Sequence, residues 1–389
     1  MKKSFRVQLV VSALVLCFLH SLPAVAGWDA EFFFYAPLNQ NLGINLDRGT
    51  GPWHGAAALQ YTEQKKVGRG NQLRVGFNTE TFWLAWDLGV LSPRRVTGSV
   101  YLRGQAGFAQ MTPDYLRQGQ HLRKLSFFSG FGAAGGELFV KLDSIWKMEA
   151  QLEFRYWTFW KGEQTEMVLP TNSPALRAHL GVSTSLPTKL FHRGRLRQET
   201  KFQAQMRLRR RFFHSAWGGE FVQGQKDPRN QFEPSLAAFQ LYLEGTGSLC
   251  LHSRFCLRGQ LSGGHSLEAD DLQRFQVGGD LRYLPQVSGT YSSEFLTDTY
   301  ALANLMVQWL PVNWLRVTPQ VDVVVLADPR REGKSDQFGF LLGLGLSLDF
   351  FLRHNMRIHA RFGYSPFSER GGAIGGFKAI LGFAGHWWP

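Results

Sequence analysis

Met356-Arg357-Ile358-His359-Ala360-Arg361-Phe362-Gly363-Tyr364 alternates without a break: the even residues are apolar or aromatic, the odd ones basic or glycine. Successive side chains of a strand point to opposite faces, so this stretch specifies a strand between two different media. The segment before it puts Phe338, Phe340, Leu342, Leu344, Leu346, Leu348 and Phe350 on one face and Gly343, Gly345, Ser347 and Asp349 on the other. The last segment sets Phe377, Ala379, Leu381, Phe383 and Trp387 against Lys378, Ile380, Gly382 and His386, with Trp388 next. In a soluble sandwich the apolar face would be core; in an outer-membrane barrel it faces lipid and the polar face lines a lumen.

The amino terminus chooses between the two. Residues Met1 to Ala26 carry Lys2, Lys3 and Arg6, an apolar run from Val7 to Leu19, and the small-residue end Ala24-Val25-Ala26. That is the pattern of a secretory signal peptide cleaved before Gly27. Removing it and its three cations from 389 residues at +13 leaves 363 residues near +10, room for one large barrel or two ordinary domains. No later segment approaches 18 uninterrupted apolar residues, so any membrane crossing is made by strands. Aromatic residues at 14% and 42 glycines suit a barrel, with Trp and Tyr at the interfaces and Gly at turns and crowded sheet positions. Cys250 and Cys256 fall on one side of a single expected strand, about 20 Å apart at ~3.3 Å per residue, so no bond between them is expected.

From Gly27 the chain reads as short alternating segments divided by turn residues, with no amphipathic helix. Expected strands include Ala30 to Tyr35, His54 to Glu63, Leu73 to Phe77, Phe82 to Leu88, Thr97 to Phe108, Leu125 to Gly132, Gly136 to Leu142, Lys147 to Phe159 and Leu176 to Leu186. In the middle, Leu196, Phe202, Ala204, Met206 and Leu208 oppose Arg195, Arg197, Lys201, Arg207, Arg209 and Arg211. Likewise Leu249, Leu251, Phe255, Leu257 and Leu261 oppose His252, Arg254, Arg258 and Gln260. The apolar face is assigned to lipid and the basic face, continued by Arg357 and Arg361, to the lumen. After Gln273 to Leu281 come a long loop, Thr299 to Trp309, Trp314 to Leu326 and the closing strands, about 16 in all.

Chemical motifs are few. Gly130-Phe131-Gly132-Ala133-Ala134-Gly135 satisfies G-x-G-x-x-G, but Glu137-Leu138-Phe139-Val140-Lys141 after it is a strand where a dinucleotide site needs a helix, so a glycine-rich turn between strands is expected. His265 and Ser266 near Asp270 and Asp271 have the residue types of a nucleophile with its base, yet stand in one expected loop without a motif that fixes their geometry. No metal spacing is present. The expectation is a non-enzyme with no cofactor. The inward arginines either form an anion-preferring pore or bind lipopolysaccharide phosphates near a rim, or else they pair with Glu153, Glu199 and Asp322 to fill the barrel. Phe383, Trp387 and Trp388 provide the aromatic end that assembly machinery reads by strand pairing, or that anchors the barrel at the interface.

From about Gln276 to Phe383 the chain resembles the C-terminal barrel of the BamA/TamA-like surface-antigen superfamily. Gly278-Gly279-Asp280-Leu281-Arg282-Tyr283 stands where that family places a loop with an Arg-Gly-aromatic tip folded into the lumen. Gln320-Val321-Asp322-Val323 or Leu326-Ala327-Asp328 stands where its strand aspartate meets that arginine. The resemblance implies a 16-stranded barrel and a role for Arg282, Tyr283 and Asp322 in a lumenal loop contact. Family members insert or export proteins at outer membranes. Only some thirty residues separate Gly27 from the first clear strands, so the periplasmic receiving domains that such members carry are not expected here. The combined expectation is an all-β, antiparallel transmembrane barrel (residues 27–389) in the outer membrane of a Gram-negative bacterium, acting in membrane biogenesis or translocation, or alternatively as a passive porin-like channel. The expected partners are outer-membrane lipid including lipopolysaccharide, the assembly machinery during insertion, and a periplasmic or outer-membrane protein, with no nucleic acid.

Overall fold

A computed structural model of the chain describes Ala26 to Trp387 except for the connections 35–54, 68–70, 78–80, 93–95, 107–115, 118–119, 122–126, 163–164, 167, 187, 192–195, 214–219, 222–224, 227–237, 268, 270–272, 279–286, 291–294, 328–337, 353–355 and 371–372. The expected signal peptide, Arg195, Arg282, Tyr283, Asp328 and Trp388 therefore lie outside the described residues. Among those described, sixteen strands pair in chain order, all antiparallel, and the last pairs with the first to close a barrel. Numbered around the barrel they are β1 (Ala26–Phe34), β2 (Gly55–Val67), β3 (Asn71–Phe77), β4 (Thr81–Ser92), β5 (Val96–Ala106), β6 (Phe127–Lys141), β7 (Trp146–Lys161) and β8 (Ser173–Ser185). The second half comprises β9 (Thr200–Arg211), β10 (Ala238–His252), β11 (Phe255–Leu267), β12 (Thr299–Val312), β13 (Leu315–Ala327), β14 (Phe338–Phe351), β15 (Met356–Arg370) and β16 (Ala373–Trp387). β1 begins on Ala26, the residue expected to end the signal peptide.

The two-residue period sorts the side chains as expected. Leu152, Phe154, Leu180, Met206, Leu208, Leu243, Leu257, Leu261, Leu305, Phe340, Leu344 and Phe362 point outward and are exposed. A continuous apolar belt of this kind is an aggregation surface in water and a stable one in lipid. Inside, Glu153, Gln240, Asn304, Asp322, Asp349 and His359 are buried among one another's strands. Connections after odd-numbered strands include all the longest ones except that between β8 and β9, while Asp143 to Ile145, Ser253-Arg254 and Asn313-Trp314 are tight turns at the opposite end. The barrel thus has a long-loop end and a short-turn end, and both β1 and β16 meet the short-turn end with their outer termini.

Five expectations are overturned. The two segments expected over Leu125 to Gly132 and Gly136 to Leu142 are one strand over their described residues, β6, with no turn at its glycines; one of these, Gly135, serves a close approach, since a Cβ there would stand 2.7 Å from both the Tyr101 hydroxyl and the Leu152 carbonyl. Leu249 to Leu261 is a hairpin of two strands folded at Ser253-Arg254, which brings Cys250 directly opposite Cys256. The two form a disulfide with Cα atoms 3.9 Å apart, where a straight strand would have held them far apart. The described residues of Gln273 to Leu281 contribute no barrel strand; Phe275–Val277 pairs instead with Phe295–Thr297 within the loop between β11 and β12. Finally, Leu196 does not share the lipid face of β9, because the strand is interrupted at Glu199 and Leu196 is fully buried in an inner cluster.

Candidate functional site

The loop from β11 to β12 enters the lumen. Its base is fixed by a buried ion pair, Arg274 Nη2 to Asp298 Oδ2 at 2.9 Å, and by the Ser266 hydroxyl donating to Asp298 Oδ1 at 3.2 Å. Phe275, Val277 and Val287 pack with Tyr300, Leu302, Val324 and Leu341 into the largest buried apolar cluster among the described residues. Ser266 is thus a buried strand residue of β11, and His265 beside it points to the opposite face, with Nδ1 2.7 Å from the Thr299 hydroxyl. The loop setting expected for this pair is wrong, and two residues on opposite faces of one strand cannot act as nucleophile and base.

The loop tip is Val287-Ser288-Gly289-Thr290. The Thr290 amide and hydroxyl both donate to the Val287 carbonyl, at 3.3 and 2.7 Å, and Gly289 takes φ +81°, the third position of a type II turn that all but requires glycine. This turn lies on a track of Gly343, Gly345 and Gly363. A Cβ at Gly343 would stand 2.8 Å from the Ser288 amide, and one at Gly363 would stand 3.0 Å from the Gly289 Cα, so only a bare backbone admits the tip. Asp322 beneath it is fully buried. Its carboxylate accepts from the Ser288 amide at 2.7 Å, from Gln320 Nε2 at 3.3 Å and from Asn304 Nδ2, while Gln320 Nε2 also donates to the Ser288 hydroxyl at 2.6 Å. Asp322 therefore meets the lumenal loop as the resemblance implies, but through an uncharged serine. Among the described residues the donors to Asp322 are neutral; Arg282, the arginine that the resemblance sets against it, lies outside them.

Three other lumenal carboxylates, Glu153, Glu199 and Asp349, pair with cations. Glu153 Oε1 takes Arg155 at 2.6 Å, and the Tyr101 hydroxyl donates to its other oxygen at 3.1 Å. Glu199 draws Lys201 at 3.0 Å, Arg258 at 3.6 Å and Arg197 at 3.9 Å. Asp349 draws Arg316 at 2.8 Å and Arg357 at 3.8 Å. Arg207 donates to Gln205 at 2.7 Å, Arg209 stands opposite Arg177 in the β8–β9 register, and Arg361 lines the lumen of β15. Arg254 is corrected: it occupies the tight turn at the short-turn end, exposed, donating to the Pro311 carbonyl at 3.3 Å. Sequence reading passed over Arg155, Arg177 and Arg316 as lumenal cations. Their odd or even positions in otherwise well-defined strands were the available signal.

At the short-turn end the connection from β8 to β9 folds inward as a hairpin, Lys189–Phe191 paired with Leu196–Gln198. Leu196 inserts between Cys256 and Leu310, all three fully buried, with Cys250 and Phe351 beside them. The Glu199 amide donates to the Ser248 hydroxyl at 2.8 Å and the Ser248 amide returns a bond to the Glu199 carbonyl at 2.8 Å. The Leu196–Gln198 arm of the hairpin lies against β10 and β11, the strands next to β9 on that side.

The seam between β1 and β16 runs only from Trp28↔Trp387 to Phe34↔Leu381, with Phe383 opposite Phe32. It places Phe383 and Trp387 of the expected assembly signal in a paired strand.

No protein-family model and no curated protein matches this sequence. Solved structures do. The barrel aligns with BamA from Haemophilus ducreyi lacking POTRA domains 1–3 at TM-score 0.62 and 10% identity, over 93% of this chain and 70% of that one. It aligns with CdiB from Acinetobacter baumannii at TM-score 0.57 and 13% identity, over 94% of this chain and 60% of that one. CdiB from Escherichia coli gives TM-score 0.57 at 10% identity, over 94% and 64%. The chain thus spans less than two thirds of either CdiB. With a closed sixteen-stranded barrel, a loop tip seated in its lumen on a buried aspartate, and these neighbours, the chain has the fold of a BamA-like barrel.

Proposed function

We propose that this protein is an outer-membrane barrel of a Gram-negative bacterium that inserts or translocates polypeptide or lipid, and that it is not a passive pore. The observation that carries this reading is the double occupancy of the lumen. The Ser288-Gly289 tip is seated on its glycine track, and Leu196 of the inward hairpin is buried inside the wall at the short-turn end. A porin keeps its channel free; here the interior is invested in holding two inserted segments, which leaves the wall and the short β1–β16 seam as the working surface. In the usual orientation of such barrels the short-turn end is periplasmic, so clients and a partner protein would arrive there, while lipopolysaccharide meets the outer leaflet. The work needs no bond-making chemistry.

The test is to reconstitute the mature chain in liposomes and follow the folding of a urea-unfolded outer-membrane barrel added outside. Acceleration of about tenfold over protein-free liposomes is expected, with planar bilayers silent or flickering. Unchanged client folding together with steady, anion-selective conductance would overturn the proposal in favour of a channel served by the arginine-rich lumen.

A further inference from the structure

On the short-turn side of the loop tip the lumen widens into a chamber of about 430 Å³. Ser288 and Gly289 bound it above, and β10 to β15 supply its walls. Four guanidinium groups, Arg258, Arg316, Arg357 and Arg361, line it against two carboxylates, Glu244 and Asp349. Those carboxylates are already engaged. Asp349 is held by Arg316 through Nε at 3.0 Å and Nη2 at 2.8 Å. Glu244 accepts from Gln260 at 3.0 Å, from Gln203 at 2.5 Å and from the Tyr242 hydroxyl. No carboxylate among the described residues lies within ion-pair distance of Arg361, and Arg258, whose Nε is buried without a hydrogen-bond partner, reaches Glu199 at 3.6 Å, a carboxylate it shares with Lys201 and Arg197. The remaining walls mix amides and hydroxyls, notably Gln308, Thr318 and Ser347, with the apolar Leu302, Met306 and Phe362.

We infer that this chamber is a binding site for a multiply charged phosphate anion. The lining carries four guanidinium groups against two carboxylates, and Glu199, which Arg258 also reaches, is shared with Lys201 and Arg197, so positive charge is in excess and a dianion offsets it. The guanidinium fork matches phosphate oxygens with two parallel bonds, and the surrounding amides and hydroxyls donate to the rest. The chamber is much larger than one phosphate group, so the ligand carries further polar atoms, as a diphosphate or a phosphorylated headgroup does. The site does not depend on insertion or translocation activity.

Pyrophosphate titrated calorimetrically into the refolded full chain in detergent tests this, with phosphorus analysis of the purified protein alongside. One saturable site is expected, weakened at least tenfold in R361Q, partly in R361K, which keeps the charge and loses the fork, and unaltered in R254Q on the exposed turn. If the chamber is filled on purification, about one equivalent of phosphorus accompanies the native chain and is missing from R361Q. Recovery in an organic extract identifies a lipid headgroup, and recovery in the aqueous phase a free phosphate anion. The inference is overturned if the native chain neither binds pyrophosphate nor carries phosphorus, or if R361Q binds as tightly as the native chain.

Discussion

Arg207 and Leu208 are neighbours in β9 that live in different solvents. Arg207 faces the lumen and donates to Gln205, while Leu208 is 41% exposed on the outer wall. Arg207→Leu should therefore change the lumenal charge and leave the barrel folded, whereas Leu208→Arg should destabilise it by about 2–4 kcal/mol by putting a cation into hydrocarbon. A urea refolding titration in lipid vesicles checks this, and equal tolerance of both changes would refute the assignment of faces. At this scale the sequence was highly informative, because the period of a strand converts position directly into face. It was least informative where two strands touch a third segment. Gly343, Gly345 and Gly363 read as ordinary small residues of a polar face, and nothing local says that a loop tip will lie on them.

Elements were legible as strands and often misjudged at their ends. The hairpin of β10 and β11 turns on Ser253-Arg254, two residues without glycine, proline or asparagine to announce a turn, so the apolar alternation appeared to run straight through. That one missed turn hid the disulfide. Its expected contribution is about 2 kcal/mol on a chain-entropy estimate, because the closed loop is short. Replacing both Cys250 and Cys256 by Ser should lower stability in a urea titration by no more than that, and leave the barrel assembled. A loss of several kcal/mol would mean that Cys256, buried against Leu196, matters chiefly through the seating of the hairpin. The break at Glu199 was hidden for a similar reason: Leu196 keeps the parity of the lipid-facing residues after it, and only its burial between Cys256 and Leu310 shows that it belongs to an inward hairpin.

On the proposed reading the two inserted segments obstruct the lumen in series. Deleting residues 187–198 should open the short-turn mouth yet leave conductance low, since the Ser288-Gly289 tip remains in place. Gly363→Val should unseat the tip, because its side chain would collide with Gly289. Only the two changes together should give a steady open channel in planar bilayers; a steady channel from the deletion alone would show that the loop tip is no barrier. The alternation in the last three strands, the recurrent hairpins and the expected export signal determined that this chain forms a lipid-facing barrel of about sixteen strands, because burial on two faces of a sheet is written residue by residue. What occupies the lumen was decided only in three dimensions. The glycine track, the serine amide on Asp322, the hairpin under Leu310 and the arginine chamber each bring together residues from distant strands. Such contacts depend on barrel closure and register, and they leave no periodic trace in the chain.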